Sequence, residues 1–303
     1  MNIFRDVDFK LNNDTAVIIG KFDGIHRGHR ELLDRIIAKK SEGLEATVFT
    51  FDKSPSELFS GKSIPSLTTI DEKLRIFEFL GIDNVILYPL TYETAAVDPE
   101  VYIKEILCKQ MKMKYIAAGV DLSFGNLGKG NADLLQDLSK GVYDIDIIDK
   151  LVIDGEEVSS TLIRDVVASG NMEKAKKLIG VPYAVSGIIS HGRRLGRKMG
   201  FPTVNIEVSD SKLTPPFGVY FTEVSIEGEH YNGITNIGCK PTVTDSKTVF
   251  AETNILDFDK DVYGKRVTVK LLKYHRKEQK FESIDELKAQ IDNDIEVGKD
   301  YFS

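Results

Sequence analysis

The hydrophobic period of the chain changes once, near Val181-Pro182, so one polypeptide must solve two different folding problems. Before that point, short β-branched runs alternate with segments whose apolar residues recur every three or four positions. Ala16–Ile19, Glu45–Phe51, Asn84–Tyr88, Tyr115–Ala118 and Tyr143–Ile148 read as strands. Between them Leu32, Leu33, Ile36 and Ile37 line one face of a helix from about His26, and Thr69-Ile70-Asp71-Glu72 is a capping box for another that carries Leu74, Phe77 and Leu80. Asp98-Pro99-Glu100 supplies an N-cap followed by proline for a helix to about Leu107. This rhythm predicts an α/β domain built on a doubly wound parallel sheet with right-handed crossovers, its ligands beyond the carboxyl ends of the strands.

Two short helices follow Arg164 and end near Ile179-Gly180; then the period falls to two. Tyr183–Ser190, Tyr220–Ile226, Glu229–Thr235, Val249–Leu256 and Val267–Lys273 are strand-like, with Glu227-Gly228 as a hairpin turn. Ser283-Ile284-Asp285-Glu286 caps a last helix. The expectation is a small antiparallel β-barrel with a terminal helix. Domains at 1–180 and 181–303 fit a length of 303 residues at about 100–200 residues per domain.

Composition narrows the class. At 42% hydrophobic and 9% aromatic the chain can close ordinary cores, and no apolar run approaches the ~20 residues that span a bilayer. The first residues lack the basic and apolar regions of a signal peptide. Cys108 and Cys239 form neither a zinc pattern nor a disulfide framework, so a cytoplasmic chain without a membrane partner is expected. A net charge of −7 argues against a nucleic-acid partner. Small-molecule substrates are the expected partners, with homo-oligomerisation left open.

Gly20-Lys21-Phe22-Asp23-Gly24-Ile25-His26-Arg27-Gly28-His29 joins the first strand to the first helix. Unpaired N–H groups and the dipole at a helix start favour an anion, and His26 and His29 fall on one face of that turn. Gly20, Gly24 and Gly28 let backbone approach a phosphate, while Asp23 has a place only if it holds the loop or a metal. Together these predict an ATP-phosphate site. Ser159-Ser160-Thr161-Leu162-Ile163-Arg164 reads as a second helix start with hydroxyls and a cation. In the second half, Gly192, Arg193, Gly196 and Arg197 form a glycine-spaced cationic loop suited to polyphosphate. Thr203 and Asn205 then alternate onto one face, where two neutral oxygens can complete a Mg²⁺ shell. His191 adjoins the loop; His230, His275 and the run Lys273–Lys280 read as solvated.

Gly20–His29 resembles the ATP signature of the HxGH nucleotidyltransferases, and its Phe-Asp-Gly extension is similar to bacterial bifunctional riboflavin kinase/FMN adenylyltransferases. Ser159–Arg164 resembles that family's second signature. Gly119–Gly125 resembles its Asp-Phe-x-Phe-Gly loop, with Leu122 where an aromatic is usual. Gly192–Asn205, Pro216–Tyr220, Asn236–Thr242 and Ala251–Phe258 resemble riboflavin kinase. The resemblance implies two reactions with ATP and Mg²⁺: riboflavin to FMN, then FMN to FAD and pyrophosphate. It also implies His26 and His29 on ATP phosphates, Phe22 in their loop, and Ser159, Ser160, Thr161 and Arg164 as a phosphate clamp. Glu252 is then the base for the riboflavin hydroxyl, with Asp121, Phe124 and Asn236 on the flavin side. One active half, or flavin binding without turnover, stays open as an alternative.

Overall fold

The computed structural model describes residues 1–190, 203–241 and 247–303. Its contacts divide the chain into two units, Met1–Ser160 and Thr161–Ser303. In the first, β1 (Asn2–Phe4), β2 (Thr15–Ile19), β3 (Glu45–Phe51), β4 (Asn84–Tyr88), β5 (Met113–Gly119) and β6 (Asp144–Ile148) form a parallel sheet in the order β1-β4-β3-β2-β5-β6. Alternate residues of the strands serve opposite faces, as a strand's two-residue period requires. Val17, Ile19, Phe49, Ile86 and Ile116 belong to one core with Tyr102, Ile106 and Leu135. Ala16, Ile18, Ala46, Val48 and Val85 belong to the other, with Leu33 and Ile36 of helix Arg27–Ala38 and Phe77 of helix Ile70–Phe79. The parallel, doubly wound expectation is met. β1 is an addition that three residues were too few to announce through periodicity.

The order of strands decides where chemistry can occur. From β2 the chain steps to β3 and β4 on one side, and then to β5 and β6 on the other. The crevice at this reversal lies beyond the carboxyl ends of β2 and β5, the ligand position in open α/β sheets. Gly20–His29 follows β2 and Val120–Phe124 follows β5.

Thr69 caps its helix through a full capping box with Glu72, and Asp98 caps the helix that starts with Pro99. A two-strand hairpin, β7 (Val152–Ile153) with β8 (Glu156–Glu157), leads toward helix Ser160–Ala168.

In the second unit β9 (Tyr183–Ile188), β10 (Thr203–Glu207), β11 (Gly218–Ile226), β12 (Glu229–Pro241), β13 (Lys247–Ile255) and β14 (Arg266–Lys277) pair antiparallel in the order β10-β13-β12-β11-β14-β9. An antiparallel bridge between Ser190 and Asn205 brings the two ends together, closing a barrel. Gly187 permits that close approach: a Cβ there would lie 2.2 Å from Ile206 Cγ2. Glu227 and Gly228 both take positive φ, as a tight hairpin needs. Helix Ile284–Phe302 places Ile295 and Phe302 against Val219, Phe221 and Ile234 of the barrel's outer face.

The period change near Val181 marks where strands begin, whereas the compact second unit begins at Thr161. The two positions differ because helix Met172–Ile179 packs on β14 and β9 and so travels with the barrel.

Candidate active sites

The loop after β2 is strained. Phe22 and Ile25 have φ of 49° and 38°, a region costly for side chains with a Cβ, and Gly24 between them has φ of 90°. Tertiary contacts hold it there. Asp23 Oδ1 accepts the amides of Leu67 and Thr68 at 2.7 and 3.4 Å, and the amide of Gly24 donates to Thr68 Oγ1 at 3.1 Å. Ser160 Oγ donates to the Asp23 carbonyl at 2.8 Å. Of the two roles open to Asp23, the structure shows loop-holding. The glycines also serve packing: a Cβ at Gly20 would touch Phe22 Cζ at 3.0 Å, and one at Gly28 would sit 3.4 Å from the His26 ring.

The helix begins at Arg27, so His26 is its N-cap rather than its first turn. His26 Nδ1 accepts the His29 amide at 3.4 Å, which leaves Nε2 as the protonated nitrogen of a neutral ring. The two imidazoles stack with centroids 3.7 Å apart, and Phe22 meets His29 edge-on at 5.2 Å. Burial lowers the His26 pKa to about 4, against the opposing pull of Asp23 and Asp121. Burial also drives His29 well below its ordinary value, helped by His26 and Lys73. His29 Nδ1 is buried without a hydrogen-bond partner among the described residues. The pair is thus neutral at pH 7, at a helix start that favours anions.

Asp121, in the turn after β5, is exposed and lies 3.7 Å from Lys150 Nζ. It is among the charges that act on His26. Phe124, expected on the flavin side, is buried against Tyr102 at 5.4 Å and its backbone pairs with Gly130. Ser159 and Ser160 are half-buried, Thr161 is exposed and Arg164 half-buried at the start of their helix. A residue that periodicity does not single out also belongs to this crevice, Lys73, whose ammonium donates to the Lys21 carbonyl at 2.6 Å.

In the barrel, Glu252 of β13 is directly opposite Asn205 of β10 on one side and Asn236 of β12 on the other. Thr203 faces Asn254, the next outward position. Cross-strand partners share a face, so Thr203, Asn205, Glu252, Asn254 and Asn236 form one polar patch. Asn205 is buried and Glu252 half-buried. Asn236 Nδ2 donates to Glu278 Oε1 at 3.3 Å. The opposite face carries a buried hydroxyl chain, Thr222 to Thr235 at 2.9 Å and Thr235 to Thr253 at 2.8 Å, which ties β11, β12 and β13 together. Gly192, Arg193, Gly196 and Arg197, with His191, lie outside the described residues.

In the run 273–280, read as solvated, Lys273 and residues 277–280 are exposed, while the middle of the run is tied to the terminal helix. Arg276 forms a two-pronged pair with Asp294 of the terminal helix, Nε to Oδ1 at 2.9 Å and Nη2 to Oδ2 at 2.7 Å. His275, expected to be solvated, stacks on Phe221 at 4.7 Å and lies 3.4 Å from Asp294. His230 is exposed beside Glu223 at 3.1 Å, as expected.

Residues 8–162 match the FAD synthetase family model, and residues 179–302 match the riboflavin kinase model. A bifunctional riboflavin kinase/FMN adenylyltransferase of Escherichia coli K12 is 38% identical over 95% of this chain and 92% of its own length. The proteins of the same description from Haemophilus influenzae and Listeria monocytogenes are 34% and 32% identical, each over 95% of this chain and over 94% and 92% of their own. A solved Streptococcus pneumoniae structure described as a macrolide-efflux protein superposes with a TM-score of 0.86 at 29% identity, covering 99% of both chains. Among the described residues no helix is long and apolar enough to cross a membrane. Matches to both domain models in one chain, with relatives aligned nearly end to end, show that it belongs to the bifunctional riboflavin kinase/FMN adenylyltransferase family.

Proposed function

We propose that the neutral, stacked pair His26/His29 carries adenylyl transfer and that Glu252 between Asn205 and Asn236 carries riboflavin phosphorylation, with residues 1–180 and 181–303 as the two catalytic domains. As a member of its family the chain is a transferase that makes FMN from riboflavin and ATP, and FAD from FMN and ATP. In the first domain an oxygen of the FMN phosphate attacks the α-phosphorus of ATP and the bond to pyrophosphate breaks. The nucleophile is already anionic, so the protein's task is to position it and to stabilise charge. His26, its Nδ1 occupied by the His29 amide, presents Nε2–H as a donor toward phosphate. His29 adds a second ring from the same turn. Gly20, Gly24 and Gly28 shape the phosphate loop, and Ser159, Ser160, Thr161 and Arg164 receive the departing pyrophosphate. Asp121 faces the flavin side.

In the second domain Glu252 takes the proton of the riboflavin 5′-hydroxyl as the hydroxyl oxygen attacks the γ-phosphorus of ATP and the bond to the departing ADP breaks. The oxygens of Thr203 and Asn205, on the same face as Glu252, suit a hard cation, and we assign them to Mg²⁺. The ion, when bound, offsets phosphate charge. Asn236 orients the flavin. Two cysteines without a disulfide fit a reducing compartment, taken to be the cytoplasm.

The observation that carries this reading is the His26 tautomer fixed by the His29 amide, with the two rings stacked. Incubation with riboflavin, Mg²⁺ and ATP, with FMN and FAD separated by chromatography, tests it. Glu252→Gln abolishes FMN formation and leaves FAD formation from added FMN; His29→Ala does the reverse. FAD formation at the unaltered rate in His29→Ala refutes the histidine assignment.

A further inference from the structure

A lysine on the exposed side of a helix normally keeps its ammonium in water. Lys73, in helix Ile70–Phe79, is 8% exposed, and its ammonium is turned inward onto the Lys21 carbonyl at 2.6 Å. Thr50 Oγ1 reaches the same carbonyl at 3.4 Å. That carbonyl opens the strained segment Phe22–Ile25, whose other end delivers the His26 cap. The anchor therefore lies at the first residue of the loop, while Asp23 pins its middle through Leu67 and Thr68.

The charged and titratable groups around Lys73 come from three elements. Asp23 reaches it from the loop after β2, His29 from the start of helix Arg27–Ala38, with His26 stacked on His29, and Asp121 acts on His26 from the turn after β5. Burial is the main reason that His29 resists protonation, and its stacked neighbour His26 and the Lys73 cation add to it. The consequence is structural as well as electrostatic. If His26 gained a proton on Nδ1, that atom would confront the His29 amide as a second donor, and the helix cap would be lost.

We infer that Lys73 is a positioning residue of the adenylyl-transfer site: anchored on the Lys21 carbonyl, its ammonium holds the first residue of the strained phosphate loop and, through it, the His26 cap that faces ATP. The inference rests on the reading of that pair as phosphate donors. Burial lowers the Lys73 pKa to about 8, with Asp23 opposing the shift, so the charge is present at neutral pH and is withdrawn in mild alkali.

The test compares the full chain with Lys73→Met and Lys73→Arg. The readouts are FAD formation from FMN and ATP across pH, FMN formation from riboflavin as a control for the intact chain, and the ¹⁵N-imidazole titrations of His26 and His29. In Lys73→Met the His29 midpoint rises, the decline of FAD formation in mild alkali disappears, and FMN formation is unchanged. Lys73→Arg, which keeps the cation, leaves the His29 midpoint low. A uniform loss of FAD formation with the same pH profile and the same His29 midpoint overturns the inference, since a purely structural lysine gives that result. An unaltered protein with no decline between about pH 7 and pH 9 overturns it without any variant. His29→Ala that still makes FAD normally sinks instead the assignment of the histidines on which this one stands.

Discussion

Replacing His26 with asparagine separates two things that one imidazole does. As N-cap it accepts the His29 amide, a job that asparagine performs well. As a buried base it resists protonation, with its pKa lowered from 6.5 to about 4 by burial. Between those two pH values the unfolded chain binds a proton at this position and the folded chain does not, so stability rises with pH through the window and is lost as pH falls. Near pH 7 this contribution is close to zero. At about pH 4.5, integration between the two pKa values gives a loss of about 2.5 kcal/mol. His26→Asn removes that loss while keeping the cap. Its stability relative to the unaltered chain is therefore expected to be about 2.5 kcal/mol more favourable at about pH 4.5 than at neutral pH. Urea unfolding followed by far-ultraviolet circular dichroism measures this, with the transition of the second unit identified by its coincidence with loss of FMN formation and the remaining transition assigned to the first. The same stability difference at both pH values refutes the claim that His26 is buried as a neutral base.

Gly24→Ala places a Cβ at φ of 90° and 2.9 Å from Leu67 Cδ1. A cost of about 2 kcal/mol, with FAD formation reduced and FMN formation intact, is expected from unfolding and activity measurements. Asp294→Ala strips the partner from Arg276, in a pair whose carboxylate is almost fully buried. The loss is about 3 kcal/mol in chemical denaturation, and FMN formation falls as the terminal helix loosens from the barrel. Thr235→Val breaks the buried hydroxyl chain between Thr222 and Thr253. A destabilisation of about 1–3 kcal/mol follows, read from the second unit's unfolding, while Glu252 on the other face keeps its register.

What could be read from the chain beforehand follows the range of the interactions concerned. Gly20–His29 was legible because a strand, a glycine loop and a helix start are consecutive, and the helix caps at Thr69, Asp98 and Ser283 were legible for the same reason. The facing of Asn205, Glu252 and Asn236 was foreshadowed only by motifs, since strand register is a long-range property. Asp23 could not be assigned because its acceptors' partners, Leu67 and Thr68, lie on a distant segment. Lys73 and Arg276 look like ordinary surface cations in one dimension; what turns them inward is a carbonyl in one case and a carboxylate on the last helix in the other.

The bridge that closes the barrel runs through one of the proposed Mg²⁺ positions. Ser190 donates to the Asn205 carbonyl through its amide at 2.9 Å and through Oγ at 3.3 Å, and Asn205 side by side with Thr203 holds the outer face. A sheet that opens at this seam exposes two edges of unpaired amides and carbonyls, the template on which foreign strands add and aggregates grow. Substrate and metal bound at Thr203 and Asn205 would favour the closed form by mass action. Scarcity of nucleotide would then affect more than turnover: it would leave the protein more prone to assemble irreversibly with copies of itself.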